Sequence, residues 1–164
     1  MRVANQAVRH VRDVTSTIDV IILELNGSSY FTKLDLNKGY HQLELAPESR
    51  YITTFSANQK LWRYKRLIFG LSSAAEVFYN AIQNTLQGIP KTFNISDDIF
   101  VHGCTQADNH DNLHRVFEQM RASNLTLNRE KCVCLIRDIN RSLDMSGAQK
   151  ECRQILRSWR RLEK

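Results

Sequence analysis

The sequence is poor in the residues that break or staple a chain. It holds 2 prolines, Pro47 and Pro90, and 6 glycines in 164 residues. No Ser/Gly linker, low-complexity stretch or internal repeat divides it. One unit is expected, long enough to bury a core without disulfides or a metal staple. Long apolar runs are absent too. The stretch Val20 to Leu23 falls far short of the roughly 20 residues that cross a bilayer. The N-terminus, Met1-Arg2-Val3-Ala4-Asn5-Gln6, has no apolar leader segment. A chain that stays inside the cell, in cytoplasm or nucleus and not secreted, is therefore expected, with its 4 cysteines reduced. Cys132-Val133-Cys134 lacks the two-residue gap of common zinc knuckles and has no second pair, so structural zinc is not expected.

What is present is basic. Lys plus Arg is 23 and Asp plus Glu is 17, a net charge of +6. A polyanionic partner suits that balance, although charge alone names none. The composition, 42% hydrophobic and 24% charged, is that of a folded domain.

Periodicity gives a coarse order of elements. Ile18, Ile21, Ile22 and Leu25 recur at helical spacing, with Gly27 as a stop. Residues 29–36 predict a strand, broken by Asn37-Lys38-Gly39. His41 to Leu45 alternates as a strand does. Residues 51–55 and 61–65 predict a further strand pair. Residues 73–87 predict a helix with a Ser73/Glu76 capping box and an apolar face of Val77, Phe78, Ala81, Ile82 and Leu86. Residues 93–103 predict a hairpin turning at Ser96-Asp97-Asp98. Residues 105–123 predict a helix capped by Thr105 and Asp108, with Leu113, Val116, Phe117 and Met120 inward. Leu125 and Leu127 predict a short strand, and residues 146–164 a basic helix. Hairpins outnumber βαβ units, so the expected class is α+β: an antiparallel sheet with helices packed on one face.

The informative residues are acids at strand ends. Asp35 lies between Leu34 and Leu36, which should point inward, and a carboxylate beside buried leucines needs a partner. Asp97 and Asp98 sit at a hairpin tip, where Asp is ordinarily turn chemistry. Magnesium is one partner that carboxylates can hold together with substrate phosphates. Periodicity does not join Asp35 to Asp97, which are 97 − 35 = 62 positions apart. Two weaker features remain. Arg63-Tyr64-Lys65-Arg66 mixes aromatic and basic residues, as nucleic-acid surfaces and solvated strand edges both do. His110 and His114 have a zinc-compatible spacing, but a solvated helix side explains them better.

Five segments resemble a known family in order and spacing. Phe31-Thr32-Lys33-Leu34-Asp35-Leu36-Asn37-Lys38-Gly39-Tyr40-His41-Gln42 resembles the first palm motif of reverse transcriptases from gypsy-class long-terminal-repeat retrotransposons. Tyr51 to Phe55, Tyr64 to Leu67 followed by Phe69 to Phe78, Ile95 to Ile99, and Leu125 to Cys132 resemble the later stretches. The likeness runs from about Arg2 to Cys132.

It implies a polymerase palm with partial fingers over residues 1–134, no thumb, and a divergent basic helical tail over residues 135–164. It implies RNA-directed DNA synthesis with two Mg2+ (or Mn2+) ions. Asp35, Asp97 and Asp98 would be the catalytic acids and, with the Leu36 carbonyl, the metal ligands. Lys38 and Gly39 would offer backbone N–H groups to the triphosphate. Tyr40 would reject a 2′-hydroxyl, and Ala75 and Tyr79 would lie on the nucleotide side. Arg63, Lys65, Arg66 and Lys131 would touch nucleic acid, Lys131 near the leaving pyrophosphate. Implied partners are RNA/DNA template-primer, dNTPs and other domains of a polyprotein, with no membrane.

Three positions depart from the family pattern. Ile95 stands for Tyr in its Tyr-x-Asp-Asp box, Ala75 for Pro and Tyr79 for Gln. Fingers residues before Arg2 and a primer-gripping hairpin after Cys132 are not recognisable. A fragment with weak or no activity alone is expected, the alternative being a silent nucleic-acid-binding or interaction remnant.

Overall fold

Strict alternation in one strand organises the molecule. The structure, a computed structural model, describes Asn5 and residues 18–136. Strand β1 (Tyr30–Asp35) buries Thr32 and Leu34 on one face and leaves Lys33 and Asp35 on the other. Before it lies helix α1 (Ile18–Leu25). After it come two 3-10 turns, Gly39–Gln42 and Pro47–Thr53, and a ribbon of β2 (Phe55–Ala57) and β3 (Lys60–Trp62). Helix α2 (Ala74–Leu86), strands β4 (Thr92–Ile95) and β5 (Asp98–Gly103), helix α3 (Gln106–Ala122) and strand β6 (Val133–Ile136) complete the order.

The main sheet is antiparallel, in the order β4-β5-β1-β6. Its apolar face carries Leu34, Ile99 and Val101, each at most 1% exposed. Helices α2 and α3 cover that face with Phe78, Ile82, Leu113, Val116, Phe117 and Met120. Burying side chains of this size contributes roughly 1.5–3 kcal/mol each. The other face, with Lys33, Asp35 and Asp98, is left to the site.

This is the expected α+β class. Helix α3 matches its sequence signals closely: the Thr105 hydroxyl accepts the Asp108 N–H at 3.2 Å, and all four predicted apolar residues are buried. Elsewhere local signals lost to context. His41 to Leu45 is no continuous strand: a 3-10 turn ends at Gln42, and only Glu44 pairs, in a single antiparallel bridge to Arg66 flanked by bonds from the Leu67 N–H to the Leu43 carbonyl and from the Leu45 N–H to the Lys65 carbonyl. Residues 51–53 are also in a 3-10 turn, because Pro47 fixes its start and the Thr53 hydroxyl bonds back to the Arg50 carbonyl at 2.7 Å. The β2–β3 turn is tighter than expected, with Asn58 and Gln59 both at positive φ. Ser73 makes no side-chain cap bond, and Val77 is 47% exposed. Leu127 forms only a single bridge, to Leu36. Strand β6 was not foreseen, since Cys132 to Ile136 carries no alternation. Cys104 and Cys132 are free thiols, whereas Cys134 is disulfide-bonded, which corrects the expectation of four reduced cysteines. The predicted tail helix lies outside the described residues.

One buried residue works against the fold. Asn94, 4% exposed on β4 opposite Ile99, has no hydrogen-bond partner for either amide atom among the described residues. An orphaned buried polar group costs about 1–3 kcal/mol. Asn94→Leu, of similar shape, should therefore raise the thermal midpoint by about 2–8 °C. A lower midpoint in calorimetry would refute this account.

Candidate active site

The acids converge because of register. β1 and β5 pair with Asp35 directly opposite Asp98, so both side chains leave the sheet on the same face. Asp97 belongs to the two-residue turn joining Ile95 to Asp98, with Ser96 at φ 52. The Leu36 N–H donates to the Asp97 carbonyl at 3.3 Å, which ties the turn to the end of β1. Three acids remote in sequence thus share one end of the sheet.

Their electrostatics show the crowding. The Asp97 carboxyl is raised above the usual carboxylate range, first by burial and then by the charges of Asp98 and Asp35. Lysines offset the other two acids: Lys33 Nζ lies 2.8 Å from Asp98 Oδ2, and Lys131 Nζ 3.8 Å from Asp35 Oδ2. Behind Asp35, the buried Cys132 sulfur accepts the Asp35 N–H at 3.4 Å. Burial pushes that thiol up to about 11, so it is neutral at physiological pH.

The turn after β1 supplies the second wall. Gly39 is buried, and a Cβ there would lie 3.2 Å from Asp97 Cγ and 3.4 Å from Phe78 Cζ. Tyr40 packs edge-on to Phe69 (4.6 Å between centroids) and tilted on Phe78 (4.9 Å). Burial and the nearby Asp97 charge raise the Tyr40 hydroxyl. Gln42 staples the turn, donating to the Asn37 carbonyl at 2.7 Å and accepting the Thr126 N–H at 2.6 Å.

The remaining expected residues are placed as follows. The Leu36 carbonyl and the Gly39 N–H face each other at a long 3.5 Å, so neither is firmly committed. Lys38 adopts a left-handed conformation at φ 57. Ala75 is exposed on α2, and the Tyr79 hydroxyl accepts from Gln83 at 3.1 Å. Arg66 is committed to structure: its guanidinium donates to the carbonyls of Gln42 (2.9 Å) and His41 (3.3 Å). Arg63 and Lys65 are exposed beside it. His110 and His114 are exposed on α3, as a solvated helix side requires. Lys33 and Cys132 escaped the sequence reading, although a lysine two residues before Asp35 on a strand must share its face.

Among the described residues, no three His, Cys, Asp or Glu side chains form a preformed metal cage. The donor chemistry nevertheless fits magnesium, which takes oxygen ligands and is usually held by one or two carboxylates completed by substrate phosphates. Among the described residues, no helix is long and apolar enough to cross a membrane.

Comparison with known proteins gives this site its context. The chain matches the family "Reverse transcriptase (RNA-dependent DNA polymerase)" over residues 2–156. It is 38% identical over 124 residues to the retrovirus-related Pol polyprotein from transposon 412 of Drosophila melanogaster, covering 74% of this chain and 10% of that protein. To the Pol polyprotein from transposon gypsy of the same organism it is 32% identical over 117 residues, covering 70% of this chain and 11% of that one. The chain thus spans about a tenth of the length of these relatives. Its fold is similar to the foamy viral protease-reverse transcriptase in complex with double-stranded DNA, with TM-score 0.74 and 22% identity over 84% of this chain and 24% of that one. The same viral protein in complex with an RNA/DNA hybrid gives TM-score 0.69 and 21% identity over 83% of this chain and 18% of that one. The chain belongs to the reverse transcriptase family, whose members are nucleotidyltransferases.

Proposed function

We propose that this chain is the palm, with part of the fingers, of an RNA-directed DNA polymerase that joins dNTPs to a primer 3′-hydroxyl. The observation that carries the reading is the pairing of Asp35 with Asp98 beside the Asp97 turn. Asp35, Asp97 and Asp98, with the Leu36 carbonyl, would hold two Mg2+ (or Mn2+) ions. The chemistry such ions would supply there is a lowered pKa for the attacking hydroxyl and neutralisation of charge on the pyrophosphate.

The chain's own residues position rather than react. The Lys38 and Gly39 amides would meet the triphosphate, because the missing side chain at Gly39 lets the backbone pass close beside the Asp97 carboxyl. Tyr40, fixed by Phe69 and Phe78, would present a rigid ring under the sugar and exclude a 2′-hydroxyl by bulk. Ala75 and Tyr79 would flank the nucleotide from α2. Arg63 and Lys65, exposed among aromatic residues, would grip the nucleic-acid backbone, while Arg66 would act chiefly by fixing the turn. Lys131, 68% exposed, would reach the leaving pyrophosphate. The foamy viral relatives solved with DNA and with RNA/DNA hybrid support a template-primer as partner.

Incubating the chain with primed RNA, dNTPs and magnesium tests this. We expect slow primer extension, since the chain is a small part of its relatives, and loss of that extension in Asp35→Asn. Salt-sensitive binding of the duplex without extension, unchanged in Asp35→Asn, would favour a silent nucleic-acid-binding remnant instead.

A further inference from the structure

Lys33 is a charged residue on the acidic face to which the proposed chemistry gives no task. It lies two residues before Asp35, on the same strand and face, and diagonally across from Asp98. Its Nζ is 2.8 Å from Asp98 Oδ2, with the two side chains 40% and 26% exposed. Directly opposed carboxylates such as Asp35 and Asp98 repel, and their strands would resist this register without a nearby cation. Lys33 supplies that cation at contact distance. Lys131 serves Asp35 more loosely, at 3.8 Å and 68% exposed. Asp97 has no ion pair among the described residues.

Two lysines therefore balance two of three acids before any metal arrives. We infer that Lys33 is a resident counter-ion that a divalent cation must displace from Asp98, and so sets how tightly this site holds metal. The inference rests on the acid site proposed above. A lysine suits the role: its ammonium is a compact charge on a flexible stem and can leave, whereas arginine would grip the carboxylate with two prongs. The pair is also partly exposed, and such pairs are weak enough to exchange.

Mn2+ titration of the full chain, followed by electron paramagnetic resonance, tests this without any turnover. Lys33→Gln should bind Mn2+ about fivefold more tightly than wild type, the scale of one exposed ion pair. Its thermal midpoint should fall in EDTA and be recovered by Mn2+. A lysine that merely held the strands together would lower the midpoint equally in both conditions. Equal or weaker Mn2+ binding in Lys33→Gln would overturn the inference. If that variant fails to fold, Lys33→Arg keeps the charge and should weaken Mn2+ binding; unchanged or tighter binding would overturn the inference as well. Asp35→Asn and Asp97→Asn in the same titration separate the two claims. Mn2+ binding indifferent to both would refute the acid site itself, whereas binding lost in both, with Lys33→Gln like wild type, refutes only the role of Lys33.

Discussion

Asp97→Asn is expected to lower primer extension by about two to three orders of magnitude and, at the same time, to stabilise the metal-free domain at neutral pH. The two effects have one cause. The fold disfavours the Asp97 charge: burial raises its carboxyl first, and Asp98 and Asp35 raise it further. A carboxyl raised in the folded state favours folding while protonated. That contribution is fully present below the unfolded value and is lost as pH rises through the folded value. At pH 7 wild type therefore bears the cost of a crowded charge that asparagine removes. The advantage of Asp97→Asn should shrink as pH falls and vanish below the ordinary aspartate value near 3.8. Denaturant unfolding in EDTA at several pH values reads this; extension by a longer polyprotein segment reads the first effect where the chain alone is slow. A variant less stable than wild type at pH 7, or one that still extends primers, would contradict the assignment of Asp97 to a charge-collecting site.

How much of this was legible in the sequence depends on the range of each interaction. Helix α3 was legible because its cap and apolar stripe are local: Thr105 bonds Asp108 three residues on, and Leu113, Val116, Phe117 and Met120 follow the helical repeat. The inward turn of Leu34 and Leu36 was legible from alternation alone. The meeting of Asp35 with Asp98 was not, because register between strands so far apart leaves no local signal; resemblance to a family supplied it. His41 to Leu45 misled because its alternation is real, but the 3-10 turn ending at Gln42 leaves only Glu44 to pair, in one bridge to Arg66. Strand β6 was invisible since Val133 and Cys134 are both buried and no period-two pattern survives. Lys33 was passed over, although alternation along β1 puts it on the face of Asp35, and its partner followed only from the register.

Gly103→Ala should be the most destabilising alanine substitution among the described glycines, costing about 3 kcal/mol. The reason is steric and lies in the backbone. A Cβ at Gly103 would stand 2.5 Å from the Asn109 nitrogen and 2.9 Å from its Cα. No rotamer change relieves a clash with main-chain atoms, so the first turn of α3 must lift off the end of β5. Lifting it breaks a buried network. Asn109, fully buried, accepts the Thr32 hydroxyl at 2.9 Å and donates to the carbonyls of Val101 at 3.0 Å and Tyr30 at 3.3 Å. Those bonds clamp β1 to β5 at one end, and Asp35 faces Asp98 at the other end of the same two strands. A loosened clamp should therefore also weaken Mn2+ binding, although no ligand is touched. Gly27→Ala is the matched control: nothing lies within 4 Å of its Cβ position, and its φ of +80 costs only about 1–2 kcal/mol when a side chain is added. Urea midpoints for the two variants decide the matter. Gly103→Ala no less stable than Gly27→Ala would mean that α3 can shift freely over the sheet, and that the Asn109 clamp does not hold the register on which the acid site depends.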